Sequence, residues 1–235
     1  MMAALAVFAF SCKPNTPDNP DPGPEPGPGP EPEPEYVAPV KIDGNFDDWA
    51  KIDASKLAIA TCANVSKTKA LKVLKVYMDE LYVFFYFEFD DALIPDKSDV
   101  QCHFYFNADN DQNTGGYANQ FTPGCFEYMC EGHIFRSDAF SDFDPSISEW
   151  TGEQGATGWD WEDLYPSGSG IFHGAGGGNA YEVSLMRESF QELGEIFQFG
   201  MDIQQEWNSV GILPNAEITD DNMEGKAAPL TVQIK

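Results

Sequence analysis

The segment NADNDQNTGGY, residues 107–117, carries oxygen-bearing side chains at alternate positions: Asp109, Asp111 and Asn113. Hard cations such as Ca²⁺ need several oxygen ligands at once, and closely spaced Asp and Asn residues on a turn supply them together with backbone carbonyls. The pattern is not an EF-hand, because Thr114 stands where that loop requires glycine and Gln120 where it requires glutamate. We predict a calcium site formed by Asp109, Asp111 and Asn113. The alternative is a polar turn, which Asx and Gly residues favour by themselves.

A second group of residues suited to binding is aromatic and lies among glycines and acids. Its members are Trp150, Trp159, Trp161 and Tyr165 in SEWTGEQGATGWDWEDLYPSGSG, and Trp207 in QQEWNSVG. Aromatic faces stack on the C–H-rich faces of sugar rings, while neighbouring carboxylates and amides hydrogen-bond to hydroxyls. We predict that these five residues contact a glycan. The competing interpretation is that they are core aromatics that cap the fold.

Signatures of catalysis are missing from the sequence. There is no nucleophile elbow, no Cys–His signature and no HExxH, and nothing identifies two acids facing one another across a cleft. The sequence therefore predicts a protein that is not an enzyme.

The charge of the chain restricts its partners. It contains 39 Asp and Glu residues against 13 Lys and Arg residues, a formal net charge of −26. Such a surface repels phosphate backbones and acidic polysaccharides, so we expect no nucleic-acid binding. Neutral glycans and divalent cations remain compatible.

The sequence predicts that the elements that position these residues are β-strands. Residues 71–78 and 81–89 are aromatic and β-branched runs joined by a two-residue turn, which predicts a hairpin. Later runs also alternate with period two, with Val100, Cys102, Phe104 and Phe106 predicted to face inward. Only MRESFQELG has helical spacing. The predicted fold is an all-β, antiparallel, jelly-roll-like β-sandwich with one short helix, spanning residues 36–235.

Four cysteines follow Tyr36, namely Cys62, Cys102, Cys125 and Cys130. Outside the cytoplasm they permit two disulfides in three possible pairings, and buried free thiols account for them equally well.

The first 35 residues do not read as part of the sandwich. Residues 1–12 form a short apolar run that ends in a small residue and Cys12, which resembles a bacterial lipoprotein signal, although no basic residue precedes the run. The resemblance implies secretion through the inner membrane, lipidation of Cys12 and a lipid anchor in the outer membrane, facing the cell surface or the periplasm. A non-lipidated signal peptide is the alternative. Residues 13–35 are rich in Pro and Glu and predict a disordered stalk.

Several segments, in this order, resemble a known family: KIDGNFDDWA, LKVYMDELYVFFYFEFDD, CHFYFNADNDQNTGGY and NAYEVSLMRESF. They are similar to the family 9 carbohydrate-binding modules and their DOMON-type relatives. The resemblance implies an antiparallel sandwich, a sugar held between two tryptophans, and calcium near the sandwich edge. We expect Gly44 to allow a tight turn and Trp49 to plug one end of the sandwich as a core residue.

The expected function is therefore non-catalytic recognition of a neutral glycan by a cell-surface or periplasmic lipoprotein. The alternative is a surface structural or protein-interaction domain without sugar binding. A more distant alternative follows from haem-binding DOMON domains, which use Met with His or Lys as axial ligands; Met78, Met201 and the three histidines would supply them.

Overall fold

A computed structural model describes residues 35–65, 67–190 and 193–234. Within them residues 38–234 belong to one compact unit. The predicted signal (residues 1–12, with Cys12) and all but the last residue of the predicted stalk lie outside the described residues. Among the described residues, no helical segment has the length and hydropathy needed to cross a bilayer.

The described residues contain sixteen strands and five short 3-10 helices. The strands are β1 Ala58–Thr61, β2 Leu71–Met78, β3 Tyr82–Phe89, β4 Val100–Asn107, β5 Gly116–Tyr117, β6 Cys125–Phe126, β7 Tyr128–Gly132, β8 Phe135–Arg136, β9 Ala139–Phe140, β10 Ser146–Trp150, β11 Trp161–Tyr165, β12 Phe172–Gly177, β13 Ala180–Met186, β14 Ile196–Gln205, β15 Asn208–Leu213 and β16 Leu230–Gln233. The 3-10 helices are Phe46–Lys51, Ala54–Lys56, Asp91–Leu93, Lys97–Asp99 and Arg187–Ser189.

Two antiparallel sheets carry the fold. A five-stranded sheet has the order β1-β2-β3-β13-β12, and a seven-stranded sheet has the order β11-β10-β7-β4-β14-β15, with β16 also paired to β14. The predicted all-β sandwich is confirmed. The predicted helical segment contains a single 3-10 turn, Arg187–Ser189.

The core lies between the inner faces of the two sheets. Phe85 of β3 meets Phe104 of β4 and Phe199 of β14, with ring centroids 5.3 Å and 4.7 Å away. The predicted inward positions on β4 are all buried in this cluster. The predicted hairpin is also confirmed, except that Leu81 precedes the strand and is exposed. Burial of large rings from both sheets is the main source of stability.

The outer face of the five-stranded sheet is covered by residues 38–57, which we call the strap. Trp49 of the strap is buried and packs on Tyr86, whose ring centroid lies 5.5 Å away. Tyr86 alternates with the inward-facing Phe85 and Phe87 along β3, so it points away from the main core. Trp49 is therefore a core residue, as predicted, but it covers a sheet face rather than plugging one end of the sandwich.

Glu182 of β13 fastens the strap to this sheet. Its Oε1 accepts hydrogen bonds from the backbone N–H groups of Asp43 and Gly44 at 3.0 and 2.9 Å, and its Oε2 accepts one from the Trp49 indole at 3.0 Å. Gly44 has φ +77°, and a Cβ there would lie 2.7 Å from the carbonyl oxygen of Gly176. The turn predicted at Gly44 therefore requires glycine for two separate reasons.

The outer face of the seven-stranded sheet is partly covered as well. Tyr105 of β4 packs there against Phe121 and Phe126, which belong to the long connection after β4. Each sheet is therefore buried on both faces over part of its area.

All four cysteines of the described residues are free thiols. Burial raises the pKa of Cys102 and Cys130, both of which lie in the main core, and it also raises the pKa of Cys125. Of the two accounts that the sequence allows, the structure shows free thiols, which are buried at Cys102, Cys125 and Cys130 and partly buried at Cys62.

Candidate functional site

Two long loops meet at one end of the seven-stranded sheet. Residues 108–115 follow β4 and residues 151–160 connect β10 to β11. The backbone N–H of Gly155 donates to the Gly115 carbonyl at 2.8 Å, and the Gly115 N–H donates to the side chain of Gln154. We call this paired structure the loop end. It brings the predicted calcium segment and the predicted glycan segment together.

Trp150 packs against the backbone of the loop end on the side that faces the sheet. Its ring is only 6% exposed, stands edge-on to Trp161 at 5.2 Å, and its indole N–H donates to the Glu153 carbonyl at 3.1 Å. A Cβ on Gly116 or Gly152 would lie 2.4 or 2.6 Å from this ring, so both backbones rest directly on it. Trp150 is therefore a packing residue, and its face is not available for the glycan contact that we predicted.

The other predicted aromatic residues differ in exposure. Trp159 is 70% exposed and Trp207 is 71% exposed. Trp161 is half-buried against the cluster on the outer sheet face, and Tyr165 is half-buried against the main core. Of the five residues, only Trp159 and Trp207 present most of a ring to solvent.

These two exposed tryptophans lie at opposite ends of the seven-stranded sheet. Strand pairing through β10, β7 and β4 places Glu162 of β11 level with Phe199 of β14. Trp159 comes three residues before Glu162, on the side of the loop end. Trp207 follows Gln205, six residues further along β14 in the other direction, or about 20 Å at the rise of a strand. They cannot hold one sugar ring between them, as the resembled family does.

The predicted calcium segment folds as a series of tight turns. Asp109 Oδ1 accepts a hydrogen bond from the backbone N–H of Asp111 at 2.8 Å. Asp111 Oδ1 accepts two from Asn113, one from its backbone N–H and one from its side-chain amide, at 2.9 and 2.6 Å. The carboxylate of Asp111 is thus used within its own turn, as the polar-turn interpretation expects.

Oxygen atoms nevertheless crowd around one hydroxyl in this segment. Thr114 Oγ1 lies 3.0 Å and 3.1 Å from the two carboxylate oxygens of Asp109, 2.8 Å from the Asp111 carbonyl and 2.9 Å from Glu127 Oε1. A hydroxyl has one proton and can satisfy only one of these acceptors. The set Asp109, Asp111 carbonyl and Glu127 therefore fits a hard cation better than the alternating side chains that we predicted.

Glu127 is the residue that the sequence reasoning missed. Burial raises its pKa to about 7, even though Ala108 N–H donates to its Oε2 at 2.6 Å and Thr114 donates to its Oε1. Repulsion from Asp109 also raises that pKa. The only sequence signal was an acid between the apolar residues of CFEYMC. In the described part of the chain, no three His, Cys, Asp or Glu side chains gather closely enough to hold a metal.

The haem alternative requires a Met and a His that point to one space. Met78 and Met201 are both buried in the main core between the sheets. His103 pairs with Asp202, the residue after Met201, so its ring is on the opposite face of the sheet from Met201. The structure therefore does not bring Met201 and His103 together as an axial pair.

No protein-family model matches this sequence, and no curated protein matches it either.

Proposed function

We propose that this protein is a non-catalytic recognition protein that binds a neutral glycan at the loop end, with the Trp159 ring as the stacking surface. The observation that carries the proposal is the exposure of Trp159 on a loop that Trp150 and the hydrogen bonds to residues 108–115 hold in place. An exposed aromatic ring offers a face on which a sugar ring can stack, and its fixed position on an ordered loop lowers the entropic cost of binding.

Acidic side chains around Trp159 favour a neutral ligand. Asp160 adjoins it in sequence, and Glu153 lies in the same loop. Carboxylates accept hydrogen bonds from sugar hydroxyls, while they repel sulfated and uronic-acid polymers.

Calcium is a second part of the proposal. Asp109, the Asp111 carbonyl and Glu127 would hold the ion, which would offset the repulsion between the two carboxylates and stiffen the loop next to Trp159. In this proposal the ion supports the binding surface and takes no part in chemistry.

Attachment to a membrane is a third part, and it rests on the resemblance of residues 1–12 to a lipoprotein signal. Lipidated Cys12 would anchor the protein in the outer membrane, and residues 13–35 would hold the sandwich away from it. Replacing Cys12 with Ala should move the protein from the membrane fraction to the soluble fraction of an expressing bacterium. If the Cys12→Ala variant stayed in the membrane fraction, the lipid anchor would be removed from the proposal.

The decisive experiment compares two exposed tryptophans at opposite ends of the sheet. Affinity electrophoresis on a panel of neutral polysaccharides should show retention of the wild type, and Trp159→Ala should weaken it about 30-fold, the loss of about 2 kcal/mol typical of a central aromatic contact. Trp207→Ala is the matched control, because its ring is equally exposed, and it should bind like the wild type. Equal retention of Trp159→Ala and wild type would refute the site. No retention on any polysaccharide would favour the alternative, a protein-interaction domain.

A further inference from the structure

A row of polar side chains crosses the outer face of the seven-stranded sheet, away from the loop end. Glu131 of β7 pairs with His103 of β4, and His103 pairs with Asp202 of β14. His103 Nε2 lies 2.8 Å from Glu131 Oε2. Asp202 is fully buried, and its Oδ2 accepts hydrogen bonds from Ser209, Gln204 and Gln120 at 2.7, 2.8 and 3.2 Å.

The row is not fully satisfied. Among the described residues, Asp202 Oδ1 and His103 Nδ1 are both buried without a hydrogen-bond partner. A buried carboxylate oxygen without a hydrogen-bond partner costs free energy. An apolar residue at position 202 would avoid that cost on a sheet face that is otherwise partly covered by aromatic rings.

A cavity opens next to this row. Its volume is about 530 Å³, within the range typical of small-molecule sites. Gln120 and Ser209, two of the three side chains that hold Asp202, form part of its wall. The buried carboxylate is thus one hydrogen bond away from the cavity and fixes the orientation of both wall residues.

That orientation determines what the wall offers to a ligand. Gln120 uses its amide nitrogen on Asp202 and Tyr105, so it presents its amide oxygen as an acceptor. Ser209 donates its proton to Asp202, so its lone pairs accept. Asn119 accepts from Lys226 Nζ with its amide oxygen at 2.8 Å, which leaves its amide nitrogen as a donor.

The charges around the cavity come close to balance, unlike the rest of this acidic chain. Lys67 and Lys226 line it together with Glu224, whose carboxylate lies 2.6 Å from Lys226 Nζ. Asp202 stands behind the wall as the second carboxylate. Two ammonium groups against Glu224 and the buried Asp202, whose pKa is raised by burial, leave no large net charge to attract an ion of either sign.

We propose that this cavity is a second ligand site, which binds one neutral sugar residue, a hexose or a pentose. Each sugar hydroxyl both donates and accepts, which matches a wall of fixed acceptors (Gln120, Ser209) and donors (Asn119, Lys67). The apolar side chains of Ile212 and Met223, also in the lining, would contact the C–H face of the ring. The site does not depend on Trp159 or on glycan binding at the loop end.

Saturation-transfer NMR on the full-length protein tests this proposal with glucose, galactose, mannose, N-acetylglucosamine and xylose, each at about 10 mM, a concentration suited to millimolar affinity. At least one neutral sugar should show transfer. Asn119→Ala and Lys67→Ala should each weaken its binding about fivefold, since each removes one hydrogen-bond donor at the exposed edge of the cavity. Lys69→Ala is the matched control: Lys69 is also exposed, lies two residues from Lys67 and is outside the cavity lining, so this variant should bind like the wild type.

Glucuronate and glucosamine, tested in the same way, are the charged comparison sugars. The proposal is overturned if no neutral sugar shows transfer, if only a charged sugar does, or if Asn119→Ala and Lys67→Ala both bind like the wild type. Trp159→Ala separates the two proposals, because it should weaken polysaccharide retention about 30-fold while leaving monosaccharide binding in the cavity unchanged. Loss of monosaccharide binding in Trp159→Ala would place the sugar at the loop end and refute the cavity.

Discussion

Replacing Glu182 with Ala should release the strap from the five-stranded sheet. The substitution removes the single carboxylate that accepts from Asp43, Gly44 and Trp49. Trp49 is buried, so its indole N–H would be left without an acceptor, whereas Asp43 is an exposed residue whose backbone N–H could bond to water instead. The two groups therefore contribute unequally to the loss.

The expected loss is smaller than the sum of three hydrogen bonds. Each bond to a charged acceptor contributes about 1.5–3 kcal/mol. Burial raises the pKa of Glu182 in spite of its three donors, which shows that the buried charge itself is costly, and the substitution removes that cost. We expect a net loss of about 3 kcal/mol in the free energy of unfolding, equivalent to a melting temperature about 6–12 °C lower for a domain of this size.

Chemical denaturation and the indole N–H signals of the five tryptophans in a ¹H–¹⁵N NMR spectrum measure this effect. The Trp49 signal should shift towards the position of a solvent-exposed indole. Glu162→Ala, an exposed acid on β11, is the control and should change stability by less than about 0.5 kcal/mol. A loss below about 1 kcal/mol with an unmoved Trp49 signal would refute the reasoning and show that apolar packing alone holds the strap.

The same carboxyl makes stability depend on pH with a defined sign. Because its folded pKa is raised above 4.5, the folded protein binds the proton more tightly than the unfolded chain does. The contribution of Glu182 to the free energy of unfolding is therefore fully present below about pH 4.5, the pKa in the unfolded chain. It is lost as the pH rises from there through the folded pKa. Glu182→Gln should remove this part of the pH dependence.

Two further predictions concern the loop end. Trp150→Ala should lower the free energy of unfolding by about 3–5 kcal/mol, because it leaves a cavity beneath Gly116 and Gly152. Thermal unfolding measures this loss, with Trp159→Ala as the control; that variant should lower the free energy of unfolding by less than about 0.5 kcal/mol. Adding Ca²⁺ should raise the melting temperature of the wild type but not that of Asp109→Asn combined with Glu127→Gln; an equal response of both proteins, or none in the wild type, would count against the ion.

The sheets were predictable because side-chain alternation is a local property of a strand. Val100, Cys102, Phe104 and Phe106 face the core as their spacing required, and the aromatic run after Asp79 formed the expected strand. Alternation also showed that both faces of β3 are apolar, but it could not show what covers the second face. The position of Trp49 follows from a hydrogen bond to Glu182, 133 residues away, which no local pattern encodes.

The candidate site was less predictable for the same physical reason. Trp150, Trp159 and Trp161 look alike in the sequence. In the structure Trp150 is a packing residue because Gly116 and Gly152 lie against its ring, whereas Trp159 is exposed and Trp161 is half-buried. The proposed cation-binding set likewise contains Glu127 in place of Asn113. Glu127 approaches Asp109 across the pairing of β4 with the segment leading into β7. Spacing within one loop cannot reveal a partner from another strand.

Glu182 and Asp202 show how the structure distinguishes a structural carboxylate from a functional candidate. Both are fully buried on the outer face of a sheet, and both accept three hydrogen bonds. Both oxygens of Glu182 accept hydrogen bonds, and all three donors belong to the strap that covers this sheet face. Asp202 receives all three on Oδ2, and two of those donors line a cavity while Oδ1 has no partner in the described chain. Replacing Asp202 would therefore disturb the cavity wall, whereas replacing Glu182 would release the strap.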